Sequence, residues 1–179
     1  MNFEESSEQL IVPQEPNWTE LQRLKDVEAD ATTVHLLPNA LAGIVRTWEV
    51  GSETGWNQET VSAFHQATRE FEEICKGIFK RQASAPTSEL NVEGSWEDAE
   101  LLSLTEDDWK NLEVRVNSVG SSLTLSDQLK EAYSLWQAGE STEWEDEDAQ
   151  KKFIEAHKKF LGSLKTAEVS ALMRQYRNQ

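Results

Sequence analysis

Three histidines, one cysteine, seven tryptophans and a run of carboxylates are the side chains in this 179-residue chain whose types can do chemistry. His35, His65 and His157 fall at unrelated points of the pattern described below, with no His-x3-His, no cysteine pair and no His-Glu-x-x-His, so no zinc site is expected. Glu140 to Asp148 (ESTEWEDED) invites a calcium reading. An EF-hand loop, however, needs alternating oxygen ligands, a central Gly and a distal Glu, and that spacing is missing. The run is better read as acids favouring a helix N-terminus. Cys75 lies on an apolar stripe and is expected to be an inert buried thiol. No phosphate loop, nucleophile elbow or Ser/His/Asp arrangement can be assembled. The expectation is a non-enzyme, with no catalytic residue, no metal and no cofactor.

The tryptophans carry a different message. Trp48-x2-Gly51-x4-Trp56-x7-Phe64-x2-Ala67-x3-Phe71 is written again as Trp136-x2-Gly139-x4-Trp144-x8-Phe153-x2-Ala156-x3-Phe160. The offset is 88 up to the second Trp and 89 after one inserted residue. Trp18-x2-Leu21 is echoed by Trp109-x2-Leu112 at an offset of 91, and Leu37-x3-Leu41 by Leu125-x3-Leu129 at 88. A period this long exceeds that of solenoid repeats and reads as a duplicated small domain. Beside a Gly turn, paired Trp most simply seal a core where two helices meet. The functional alternative is a pair of aromatic-lined grooves, one per half, each receiving a helix or peptide of a partner. Trp96 has no counterpart and is the candidate surface anchor.

The elements that must position these residues all read as helices. Asn17-x-x-Glu20 resembles a capping box ahead of Trp18, Leu21 and Leu24. Pro38 suits the first turn of a second helix, which carries Leu41, Ile44, Val45 and Trp48 to about Val50, with Gly51 just past its end. Asn57 caps a third, whose stripe is Val61, Phe64, Thr68, Phe71, Cys75 and Ile78. Thr105-x-x-Asp108 opens a fourth with Trp109, Leu112 and Val116. A fifth runs from about Leu125 to Gly139. A sixth begins near Trp144 and passes Leu164, and a separate amphipathic piece from Val169 to Tyr176 closes the chain. Ala149-x3-Phe153-x2-Ala156 is similar to the second helix of a tetratricopeptide repeat over about eight residues, which is helix-packing chemistry. The expected fold is all-α: two tandem related three-helix units forming a helical bundle. Their bounds are a flexible acidic arm at 1–16, a first repeat at 17–82, an acidic linker with a short helix at 83–104, and a second repeat at 105–179.

The net charge of −16 is unevenly placed. Residues 1–17 hold four acids and 83–104 hold five, both without a base, so these two segments carry −9 and the helical bodies the remaining −7. Such a chain repels phosphate backbones, so direct nucleic-acid binding is not expected. No apolar run approaches the roughly 20 residues of a membrane span. With one Cys and no signal-peptide pattern, a cytoplasmic protein is expected. Leu10, Ile11 and Val12 form the only apolar patch of the acidic arm and join Trp96 as candidate partner-binding residues. The functional expectation is an adaptor or accessory subunit that binds a protein partner. The alternative is an inhibitor that mimics nucleic acid and occupies a basic cleft on its target.

Overall fold

In a computed structural model of the chain, the described residues are 10–84, 102–120 and 123–177. The elements are α1 (Trp18–Glu28), α2 (Leu36–Thr54), α3 (Gln58–Ala83), α4 (Glu106–Ser118), α5 (Leu123–Ser141) and α6 (Glu147–Arg177), with no strand among the described residues. Local chemistry sets most of the helix starts. The Asn17 side chain accepts from the Glu20 N–H at 3.1 Å, and Asn57 from the Thr60 N–H at 2.9 Å. At α4 the box is reciprocal: Thr105 Oγ1 accepts from Asp108 N–H while Asp108 Oδ2 accepts from Thr105 N–H at 2.8 Å.

Two helix ends differ from the sequence expectation, and both have a packing reason. Gly51 does not terminate α2. The helix continues to Thr54, and Gly55, with φ +93°, makes the left-handed exit while its N–H bonds back to the Gly51 carbonyl. Gly51 is buried inside the helix because the Trp56 indole lies where a β-carbon would stand. Likewise, no break separates Leu164 from Val169. α6 is one helix of 31 residues, about 46 Å long at the helical rise, because nothing between those residues breaks the backbone ladder.

The chain divides into two compact units, one comprising residues up to Ile78 with those from Val169 onward, the other Phe79–Glu168. The expected 105–179 boundary thus differs from this division, which assigns the last turns of α6 to the first unit. In the first unit the buried side chains are Leu21, Leu37, Ile44, Phe64, Phe71 and Ile78, with Met173 and Tyr176 from α6. Pro13 and Pro16 are buried as well, and the Gln14 N–H donates to the Tyr176 carbonyl at 3.1 Å. A polar cluster sits in the same unit. Arg177 donates to Thr68 Oγ1 and Glu72 Oε1, both at 3.2 Å, while Lys76 and Ser170 reach Glu72 Oε2 at 2.8 and 3.2 Å. Burial pushes the Glu72 carboxyl up, but hydrogen bonds and charge from Lys76 and Arg177 outweigh it and hold the group below the ordinary carboxylate range.

The core of the second unit joins Trp109, Leu112 and Val116 of α4, Leu125, Ala132 and Trp136 of α5, and Phe153, Ile154, Phe160 and Leu164 of α6. Glu143 and Trp144 take left-handed φ values of 55° and 59° between α5 and α6, which turns the Trp144 indole back onto Gly139.

Candidate functional site

Cys75 and His157, two of the groups whose types could do chemistry, are spent on packing, while His35 is exposed. Cys75 is fully buried, and burial followed by the charges of Glu28 and Glu72 pushes its thiol up to about 12. His157 is 2% exposed, and burial lowers it to about 4. Neither of its ring nitrogens finds a hydrogen-bond partner among the described residues, and Trp109, Phe153 and Phe160 surround it at ring-centroid distances of 5.5, 5.5 and 6.4 Å. His65 is lowered too, first by burial and then by the charges of Arg69 and Arg177. No cluster of three or more His, Cys, Asp or Glu able to hold a metal occurs among the described residues, and no described helix is long and apolar enough to cross a membrane.

One ring contact recurs in both units, Trp56 with Phe64 at 5.7 Å and Trp144 with Phe153 at 5.3 Å, while the other Trp contacts differ. In the first unit Trp48 lies 5.2 Å from Trp56 and 5.7 Å from Phe64 between ring centroids. In the second, Trp136 lies 5.7 Å from Trp109, and Trp144 lies 5.3 Å from Phe153. Beside each of these clusters, two helices leave an open groove.

The groove between α4 and α5 has a volume of about 470 Å³. Trp109, Val116 and Leu129 supply apolar lining, and Glu106, Glu113, Lys110 and Lys130 its charges. The Tyr133 hydroxyl donates to the Glu106 carboxylate (2.9 Å to Oε2) and accepts from Gln137 Nε2 at 3.1 Å. That bond to Glu106 is the first cause of the raised Tyr133 pKa. The groove between α1 and α2 is smaller, about 290 Å³, and is lined by Trp18, Gln22, Leu41, Val45, Trp48 and Glu49. At its edge Trp18 Nε1 donates to Glu15 Oε2 at 3.1 Å.

Of the residues singled out as partner-binding, Leu10, Ile11 and Val12 are 40%, 52% and 48% exposed. None of them lines either groove. Trp96 lies outside the described residues, as does most of the 83–104 linker. Of the Trp weighed from sequence for such grooves, Trp48 lines one and Trp56, Trp136 and Trp144 line neither, whereas Trp18 and Trp109, read only as helix-stripe residues, do. The signal was present in the same offsets: Glu15 and Glu106 are 91 apart, as are Trp18 and Trp109, while Val45 and Tyr133 are 88 apart.

No protein-family model matches the chain, and neither the curated proteins nor the solved structures yield a match.

Proposed function

We propose that this chain is a non-enzymatic, acidic helical protein that binds a protein partner as an adaptor or accessory subunit. In this reading it is built from two related three-helix units, each offering the groove between its first and second helix. One observation carries the proposal: the two grooves share four lining positions at the repeat offsets. Trp18 answers Trp109, Gln22 answers Glu113, Leu41 answers Leu129 and Val45 answers Tyr133. Open aromatic and aliphatic surface framed by polar side chains suits a helix or peptide laid into it. Carboxylate excess disfavours a nucleic-acid ligand, and the lone, buried Cys75 suits a reducing compartment such as the cytoplasm.

The test is capture with the full chain, then direct binding of the captured protein to purified Val45→Asp and Tyr133→Ala variants. The expected result is loss of binding in at least one variant whose thermal unfolding matches the parent. Binding untouched by both would remove the grooves from the function. Net charge alone favours the second reading, a mimic of nucleic acid. A mimic would bind a basic cleft with steep salt dependence and be indifferent to Val45→Asp.

A further inference from the structure

The two grooves share four lining positions and differ in charge. Around the α4–α5 groove, Lys110 and Lys130 stand with Glu106 and Glu113, so bases and acids balance among the lining residues. Glu106 is also engaged by the Tyr133 hydroxyl. At the positions answering Lys110 and Lys130, the first unit has Thr19 and Ala42. Its groove presents the indoles of Trp18 and Trp48, the carboxylate of Glu49, and no base among the lining residues. The position answering Tyr133 is Val45, which offers no hydroxyl, and Glu15, the counterpart of Glu106, accepts the indole N–H of Trp18.

We infer that the α1–α2 groove receives an arginine side chain of the partner protein, packed against the indole faces of Trp18 and Trp48 and neutralised by Glu49 and Glu15. This rests on the protein-binding reading above and adds the chemistry of the partner. Aromatic rings attract a cation through their quadrupole, and the guanidinium plane stacks on them while its N–H fork reaches carboxylates. The Trp18 N–H bond to Glu15 brings a carboxylate to the edge of that ring and satisfies the indole proton, so the ring face remains for the ligand. Volume is compatible: about 290 Å³ accommodates one long side chain. Charge complementarity points the same way, since a chain of net charge −16 attracts a basic partner and gains on-rate from it.

The test uses the full chain with the acetylated, amidated peptide Gly-Ala-Arg-Ala-Gly as probe and its citrulline analogue as the neutral, nearly isosteric control. Indole 1H–15N resonances, assigned with Trp→Phe variants, report the site at low ionic strength. The arginine peptide is expected to shift Trp18 and Trp48 saturably, and the citrulline peptide to bind at least roughly fivefold more weakly. Glu15→Gln/Glu49→Gln, which preserves an acceptor for the Trp18 N–H, is expected to weaken the arginine peptide by roughly tenfold with unchanged thermal unfolding. Equal binding of the two peptides, indifference to the double variant, or shifts confined to Trp109 and Trp136 would each overturn the assignment. A captured partner that loses affinity for Val45→Trp, which fills the groove without adding a carboxylate, but not for Glu15→Gln/Glu49→Gln would leave the protein-binding reading standing and sink the arginine. A partner indifferent to these variants and to Tyr133→Ala would sink the arginine and the grooves together.

Discussion

Trp144 lies over Gly139 so closely that a β-carbon built on that glycine would fall inside the indole, overlapping three carbons of its six-membered ring. Trp56 stands in the same relation to Gly51. Both glycines are in helical conformation and buried, so their conserved-looking spacing to the next Trp is a matter of space and not of backbone freedom.

Opposite signs are therefore expected for glycine-to-alanine changes in one helix. Gly51→Ala and Gly139→Ala should destabilise by about 1–3 kcal/mol, because displacing a packed indole outweighs the helix propensity gained. Gly43, whose added β-carbon would meet only Ala67 Cβ at 4.0 Å, lacks that clash. Gly43→Ala should stabilise by about 0.5–1 kcal/mol. Urea unfolding of the three variants measures this, and a stabilised Gly51→Ala would contradict the account.

His157 makes the second unit acid-sensitive. Burial holds its folded-state pKa at about 4 against an ordinary 6.5, so the unfolded chain takes up the proton first. The contribution of the neutral ring is complete above about pH 6.5 and is lost as pH falls toward 4, by roughly 3 kcal/mol in total. His157→Phe keeps the aromatic packing with Trp109 and Phe160 and should flatten stability over that window. Thermal unfolding followed by Trp fluorescence between pH 7.5 and 4 tests it.

Arg177 and Glu72 act in the first unit, where the Glu72 carboxyl responds to pH in a lower range than an ordinary histidine. Both side chains are nearly buried and bonded to each other at 3.2 Å, so Arg177→Met leaves Glu72 with Lys76 and Ser170 alone. Breaking one partner of such a pair costs about 3–5 kcal/mol, whereas the paired change Arg177→Met/Glu72→Leu should recover part of the loss. Because the folded Glu72 carboxyl is held below its ordinary value of 4.5, its contribution is present above that value and disappears as pH drops through the lowered one. A double-mutant cycle with a coupling near zero would show that the pair contributes nothing.

Cys75 should be silent in the native protein. Its thiol is 0% exposed and pushed up to about 12, so thiolate is scarce and inaccessible at pH 8. Reaction with a disulfide reagent is expected only through opening of the first unit, so Arg177→Met should accelerate it about tenfold for each 1.4 kcal/mol of stability lost. Fast labelling of the folded chain would place the thiol at the surface.

Helices and their starts were readable from sequence because their causes are local. Asn17, Asn57 and Thr105 cap where expected, and Val61, Phe64, Thr68, Phe71, Cys75 and Ile78 are all buried as the stripe of α3 demands. Gly51 was misjudged because a glycine at a helix end and a glycine beneath a ring look alike in one dimension. The continuous α6 was missed because Val169 to Tyr176 reads as a separate piece, whereas the helix runs through Gly162, which is buried beside the Phe79 carbonyl and the Ala83 side chain. The grooves went unseen beyond their Trp because lining is set by what neighbouring helices leave uncovered.

The sequence alone therefore determined a helical chain, its caps and its apolar stripes, all of which follow from short-range sterics and periodicity. Only tertiary structure decided that Thr68 meets the guanidinium of Arg177 while His157, at the answering position, is enclosed by aromatic rings with no hydrogen-bond partner among the described residues. It alone gave Glu15 an indole and Glu106 a phenol. The physical reason is distance along the chain: Arg177 stands 109 residues from Thr68, and no local preference can state which side chain arrives from so far away.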